Sequence, residues 1–131
     1  MAQAEGKRIP FESTDKIDTA VLEVFPYEGP RQRITCSTNE FSAVCPYSGL
    51  PDIATIIIDY VPKQKCIELK SLKYYYLSYR NVGIYQEPAT SRIYEDLFKC
   101  LEPHSLSVKV TYQTRGGIDT TTSITSEDQK S

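Results

Sequence analysis

The sequence predicts an α+β domain in which two helices lie on one face of an antiparallel sheet. Two observations support this. Segments of strand character occur in two groups, four before residue 70 and two after residue 104. Between the groups, two stretches repeat apolar residues with helical spacing. The predicted element order is therefore β-β-β-β-α-α-β-β.

The first group of strands contains a predicted hairpin and a predicted central strand. VLEVF (21–25) and RQRITCS (31–37) are separated by the Pro/Gly turn PYEGP, which predicts that they pair. IATIIIDYV (53–61) is β-branched and apolar on both faces, as a central strand is. KQKCIEL (63–69) alternates after a short turn, and we expect it to pair with the strand before it.

Two amphipathic helices follow. The first is predicted to end near Gly83, and the second to have Pro88 in its first turn and to stop before Pro103. Their apolar positions are spaced i, i+3, i+4 and i+7. The first set is Leu72, Tyr75, Tyr76 and Tyr79, and the second is Tyr94, Leu97, Phe98 and Leu101.

The last strands complete the sheet. SLSVKVTYQ (105–113) alternates as a half-buried antiparallel strand does, and RGG turns the chain into IDTTTSI (118–124). We expect one domain over 18–125, a flexible segment over 1–17 and a polar tail over 126–131. A sheet this small leaves edges exposed, which predicts a homo-oligomer.

Composition narrows the function. The 131 residues suit one domain, and a formal net charge of −2 gives no general indication of nucleic-acid binding. No apolar run reaches the roughly 20 residues that span a bilayer, so we expect a cytoplasmic protein. Four cysteines without a CxxC pair and a single histidine predict no metal site, and they leave any disulfide pairing open.

Two stretches carry the chemistry. FSAVCPYSGLPD (41–52) and CIELKSLKYYYLSYRN (66–81) stand thirteen residues apart. Together they resemble the signature of the QueF family, the nitrile reductases that act on 7-cyano-7-deazaguanine, over roughly residues 38–118. The resemblance implies the tunnelling fold (T-fold), whose members form rings, often stacked in pairs as decamers, with substrate sites between subunits.

The resemblance assigns Cys45 as nucleophile and Asp52 as proton carrier. A nitrile is a weak electrophile, so the attacking thiol must be ionised and the developing nitrogen anion must receive a proton. The Pro-x-x-Gly-x-Pro turn would bring both groups to one substrate. A lone cysteine is most often a small buried apolar residue, and the surrounding motif favours the catalytic interpretation here.

The base-binding residues also follow from the resemblance. Glu87 matches the acid of a His-Glu pair, and Glu68 matches the acid of Glu-Ser-Lys-Ser. An ionised carboxylate accepts two parallel N–H donors from the edge of a guanine-like ring. The backbone around Ile67, Glu68 and Leu69, together with Gln86, would line the same pocket.

The sequence departs from the reductase pattern in this site. Gln86 stands in place of the histidine, and Leu69 in place of a serine. The short chain, the missing histidine and a thermophile-like composition favour the QueF-like amidinotransferases of archaea. These convert 7-cyano-7-deazaguanine in tRNA to archaeosine with ammonia, through a cysteine thioimide. On this interpretation ammonia is a co-substrate and no cofactor is needed.

A tRNA substrate would require local basic residues. Lysines and arginines near the two motifs are the candidates, each also explained as an ordinary solvated charge. The residues are Lys63, Lys65, Lys70, Lys73, Arg80 and Arg115.

Two alternatives remain open. An NADPH-dependent nitrile reductase would use the same cysteine and acid, with the KSLK lysines on the cofactor phosphates. A ring-forming or base-binding relative would have lost the chemistry while keeping the fold.

Overall fold

The computed structural model describes residues 10–130, so the predictions for residues 1–9 and 131 lie outside the described part of the chain. Six strands and two helices follow one another in the predicted order, and the α+β class is confirmed. They are β1 (Val24–Pro26), β2 (Ile34–Val44), β3 (Pro51–Val61), β4 (Lys65–Ile67), α1 (Leu69–Leu77), α2 (Gln86–Leu101), β5 (Ser105–Tyr112) and β6 (Thr121–Thr125).

The main sheet is antiparallel, with strand order β2-β3-β5-β6. β2 and β3 form a long hairpin, in which Ala43 is opposite Asp52 at the turn end and Cys36 is opposite Ile58 further along. The register shifts between Thr38 and Phe41, where β2 carries a bulge. This hairpin places the residues of the first motif at one end of the sheet.

Two predicted strand pairings are wrong. β1 pairs with β4 in a separate two-stranded sheet, with Phe25 opposite Cys66, whereas the sequence predicts β1 with β2 and β4 with β3. The backbone N–H of Tyr27 extends this pairing by donating to the carbonyl of Gln64 at 2.9 Å. Alternation shows that a segment is extended and which side chains share a face, but it does not specify the partner strand.

Both helices pack on the same face of the main sheet, as predicted. All four predicted apolar residues of α1 and its C-terminal extension are buried, and Tyr75 and Tyr79 are fully so. In α2 the buried stripe is rotated from the prediction, because Ile93 is buried while Phe98 is 39% exposed. The inward side chains of the sheet complete the core: Phe41, Ala43, Ala54, Ile56, Ile58, Tyr60, Leu106, Val108, Val110 and Tyr112.

The helix ends have local causes. α1 ends at Leu77, six residues before the predicted Gly83, and the Ser78 hydroxyl donates to the Tyr75 carbonyl at 2.6 Å. α2 ends as predicted before Pro103, with Glu102 in the left-handed conformation at φ 47°. Residues 78–85 therefore form a connector between the helices.

Residues 10–16 are exposed on the surface of the domain, and the flexibility expected for this segment stays a prediction. Ile17 is only 6% exposed and belongs to the core. The Thr19 hydroxyl donates a hydrogen bond to the Asp96 carboxylate of α2 at 3.1 Å. No helix within residues 10–130 is long and apolar enough to cross a membrane.

Candidate active site

A tight turn between β2 and β3 presents Cys45. The Cys45 N–H donates to the Leu50 carbonyl at 2.9 Å, and the Gly49 N–H donates to the Cys45 carbonyl at 2.7 Å. Gly49 has φ 75°, a backbone conformation that residues other than glycine rarely adopt. The turn leaves Cys45 partly exposed and sets Asp52 one pair beyond the turn on β3.

The turn also lowers the pKa of the Cys45 thiol. Burial raises the pKa of Cys45, but the backbone N–H and hydroxyl of Ser48 and the backbone N–H of Tyr47 outweigh it, so the net pKa is lowered. The negative charge of Asp52 opposes this shift. A lowered pKa increases the thiolate fraction near neutral pH, and the thiolate is the nucleophile.

Asp52 is buried and ion-paired. It is 4% exposed, and Nη1 of Arg115 donates a hydrogen bond to its Oδ1. The pKa of Arg115 is raised chiefly by this contact, and the Cys45 sulfur adds to the shift. Arg115, a predicted RNA-binding residue, therefore interacts with both predicted catalytic groups.

A glycine turn holds Arg115 in place. Arg115 and Ile118 exchange two backbone hydrogen bonds of 3.0 Å, and Gly116 and Gly117 between them have φ 58° and 78°. Two successive positive φ angles are typical of the tight turn that joins antiparallel segments. The RGG signal in the sequence marks this turn.

The N-terminus of α2 lies at the same end of the sheet. The connector forms two backbone hydrogen bonds with Val44, the residue before Cys45. The Val44 N–H donates to the Val82 carbonyl at 2.9 Å, and the Ile84 N–H donates to the Val44 carbonyl at 3.0 Å. Gln86 and Glu87 then form the first turn of α2. Glu87 is exposed there and available to a ligand.

Tyr112 of β5 also belongs to the candidate site, although the sequence predicts only that its side chain faces the core. Its hydroxyl donates to the Gln86 carbonyl at 3.4 Å. Its pKa is raised by burial and further by the negative charges of Asp52 and Glu87. The phenol therefore links β5 to the N-terminus of α2 within the candidate site.

The second predicted group of residues lies far from Cys45. Asp52 and Tyr60 are eight residues apart on β3, about 26 Å at the usual strand rise. The Tyr60 hydroxyl accepts from the Ile67 N–H at 3.0 Å, which fixes Ile67 at the far end of the sheet. Glu68 and Leu69 follow it directly, so one chain does not bring the two groups together.

The Glu68 side chain caps the helix that follows it. It is the N-cap of α1, and its two carboxylate oxygens accept the N–H groups of Lys70 at 2.9 Å and Ser71 at 2.8 Å. Next to it, Ile67 is 3% exposed and Leu69 is 60% exposed. Leu69 also lines two cavities of about 360 Å³ each, one between β2 and α1 and one between β2 and β4.

The predicted basic residues do not share one face. Lys65 pairs with Glu102 at 2.7 Å, Lys70 lies 5.9 Å from the centre of the Tyr74 ring, and Lys73 lines the β2–α1 cavity. Lys63 and Arg80 are exposed, on the β3–β4 loop and on the connector. Within residues 10–130, no group of three His, Cys, Asp or Glu side chains is arranged to hold a metal ion.

Comparison with known proteins identifies the family. The sequence profile of the QueF-like protein family matches residues 51–131. The chain is 53% identical to the NADPH-dependent 7-cyano-7-deazaguanine reductase of Thermotoga maritima, covering 99% of this chain and 96% of that protein. It is also 53% identical to the reductase of the same name from Caldicellulosiruptor bescii, over 88% of this chain and 90% of that one.

A solved structure supports the fold. The crystal structure of the archaeosine synthase QueF-Like in the apo form aligns with a TM-score of 0.65 over 76% of this chain and 96% of that chain. The identity of 21% supports the shared architecture alone. The predicted T-fold is confirmed.

These relatives correct the predicted activity. The expectation of an archaeal amidinotransferase that forms archaeosine in tRNA with ammonia is wrong, because relatives at 53% identity are named as reductases. The expectation of no cofactor is wrong with it, since those reductases are NADPH-dependent. Gln86 misled the prediction because it removes one proton carrier but leaves Cys45 and Asp52 intact. The chain belongs to the QueF-like protein family.

Proposed function

We propose that the protein is an NADPH-dependent reductase that converts the nitrile of 7-cyano-7-deazaguanine to a primary amine. The observation that carries the proposal is the Cys45 thiol of lowered pKa beside the buried Asp52, on a chain 53% identical to reductases of this name. The extended resemblance to reductases favours the free base as substrate over the base in tRNA.

Cys45 and Asp52 would perform the first step together. The sulfur forms a bond to the nitrile carbon while one carbon–nitrogen π bond breaks and leaves its electron pair on nitrogen. Asp52, a carboxylate in its ion pair with Arg115, takes the thiol proton and delivers it to that nitrogen. The result is a neutral thioimide, and no proton is gained or lost in the step.

The residues of α1 suit a cofactor that carries phosphates. Lys70 and Lys73 lie exposed one helical turn apart, and Lys73 lines the β2–α1 cavity beside the Tyr76 ring. Ammonium groups bind phosphates and an aromatic wall suits a flat ring, so these residues fit NADPH. Two molecules of NADPH, bound one after the other, would supply one hydride each to take the nitrile to the amine.

Glu87 would hold the base. Its carboxylate is exposed at the N-terminus of α2, where it can accept two N–H groups from the guanine-like edge. Gln86 precedes it and supplies an amide that can donate to a ring acceptor. Glu87 thereby sets the distance from the base to Cys45.

A ring-shaped homo-oligomer would complete the site. Within residues 10–130, the outer edges of β2 and β6 have no partner strand. In such an assembly, we propose that Ile67, Glu68 and Leu69 at the Cys45 end of one chain come from a neighbouring copy. Stacked rings forming a decamer are the assembly we propose, and a monomer in size-exclusion chromatography with light scattering would contradict it.

Steady-state assays test the activity. Purified protein is mixed with 7-cyano-7-deazaguanine and NADPH, and cofactor oxidation is followed alongside product mass. We expect two NADPH oxidised per amine formed, and no oxidation with the variant Cys45→Ala. Wild-type protein that leaves NADPH unchanged under these conditions contradicts the proposal.

A further inference from the structure

The connector between α1 and α2 is hydrogen-bonded on both sides. On one side Val82 and Ile84 bond to Val44, as described above. On the other side the Glu12 N–H donates to the Asn81 carbonyl at 2.7 Å, and the Gly83 N–H donates to the Glu12 carbonyl at 2.9 Å. These bonds are parallel bridges, so the N-terminal segment, the connector and the end of β2 form a small three-stranded layer.

This layer joins the two parts of the proposed site. Val44 immediately precedes the nucleophile Cys45, and Ile84 lies three residues before Glu87. The position of the connector relative to Val44 therefore determines how far the base-holding carboxylate lies from the sulfur. A change in this layer reaches the reaction without touching a reacting atom.

Phe11 covers the layer at Gly83. A Cβ atom at position 83 would overlap Cδ1 and Cε1 of the Phe11 ring, so the ring packs directly on the glycine backbone. Gly83 does not have a positive φ, so the close approach of the ring, and not backbone conformation, accounts for the glycine. The segment is also fixed beyond Phe11, since Ile17 is in the core and the Asp18 N–H donates to the Ser78 hydroxyl at 2.9 Å.

We propose that Phe11 and Gly83 are positioning residues for the nitrile reaction. The ring holds the connector against Val44, which keeps Glu87 at the distance from Cys45 that the base requires. The inference rests on the proposed function, because it concerns how the base is held while sulfur attacks. It assigns a role in the reaction to an N-terminal segment that the motif residues do not include.

The first test compares Phe11→Ala with Phe98→Ala. Both rings are partly exposed, at 44% and 39%, and Phe98 lies on the outer face of α2 near its C-terminus. We expect Phe11→Ala to raise KM for the nitrile base by about tenfold, because small misplacements of a binding group have large effects, with a smaller change in kcat. Phe98→Ala should leave both constants near wild type, and Phe11→Leu should restore most of the affinity.

Amide hydrogen exchange gives a readout that is independent of catalysis. The Val44 and Ile84 amide hydrogens should exchange faster in Phe11→Ala than in wild type. In Phe98→Ala their exchange rates should be unchanged. Unaltered exchange at both amides overturns the inference even if activity falls. If wild-type protein reduces no nitrile, the proposed function fails, while the exchange result still decides the structural claim.

A double substitution tests the direct contact. Gly83→Ala alone should raise KM more than Phe11→Ala does, because the added methyl group pushes the ring and the connector apart. Combined with Phe11→Ala, the same methyl group no longer meets the ring, so the double variant should bind the base better than Gly83→Ala alone. Strictly multiplicative effects of the two substitutions overturn the proposed contact.

Discussion

The guanidinium of Arg115 donates to the buried carboxylate of Asp52, and this ion pair lies beside the Cys45 thiol. It gives the candidate site a positive charge in contact with Asp52 and near Cys45. The guanidinium therefore orients the Asp52 carboxylate and leaves a cation near the Cys45 sulfur.

Replacing Arg115 with Ala should lower kcat by about tenfold or more, because Asp52 loses the group that positions it. Arg115→Lys should lower kcat less, since the positive charge and an N–H donor to Asp52 remain. Arg33→Ala is the matched control, because Arg33 also pairs with an aspartate of β3, Asp59 at 2.5 Å, but away from the turn. Equal activity in Arg115→Ala and wild type would remove this residue from the mechanism.

The lowered pKa of Cys45 predicts the order of alkylation. Burial raises the pKa of Cys36 and Cys100, so at neutral pH iodoacetamide should modify Cys45 first. Since only the thiolate reacts, a lowered pKa moves the midpoint of the rate–pH curve to lower pH, and Ser48→Ala should move it back up. Peptide mass mapping at a series of pH values measures both effects, and earlier modification of Cys36 would contradict the assignment.

Glu87→Gln tests the binding of the base. The substitution keeps the shape but replaces two charge-assisted hydrogen bonds with at most one acceptor, so KM should rise by about 10- to 100-fold. Glu95→Gln changes an exposed acid on the same helix and should have no such effect. A rise in KM common to both variants would indicate a general charge effect instead of base recognition.

Tyr75→Phe tests the buried polar network that fixes α1 to α2. The Tyr75 hydroxyl bonds to Asp96 and to the Tyr79 hydroxyl, each at 2.7 Å, and Tyr75 is fully buried. Removing it leaves both partners short of a hydrogen bond, which should lower the free energy of unfolding by about 1–3 kcal/mol. Tyr74→Phe, at a neighbouring residue that is 49% exposed, should change it little. Urea unfolding of the two variants decides the point.

The sequence predicts the parts of this fold that depend on local periodicity. The burial of Leu72, Tyr75, Tyr76 and Tyr79 is predicted correctly because these positions recur with the period of a helix, although α1 ends before Tyr79. The pairing of β1 with β4 is missed because strand partners are chosen by packing between segments distant in the chain. Tertiary contact, not local pattern, decides that step.

In the candidate site, too, local features are predicted from the sequence and long-range contacts are not. Cys45 and Asp52 follow from one short motif, because the turn that joins them is local. The pairing of Arg115 with Asp52 spans 63 residues, and no periodicity indicates it. The choice of activity failed because the missing histidine at Gln86, the short chain and the thermophile-like composition favoured an amidinotransferase over the reductase alternative, which is the activity that relatives at 53% identity are named for.

The covalent step is tested most directly by intact-protein mass spectrometry of wild type, Cys45→Ala and Asp52→Asn with the nitrile base and no NADPH. Wild type should gain the mass of one base per chain, and NADPH added afterwards should discharge it as the amine. Asp52→Asn should form the adduct at least about 100-fold more slowly, because it lacks the proton carrier, and Cys45→Ala should form none. An adduct on Cys45→Ala, or amine formed by that variant, would contradict the central role of this thiol.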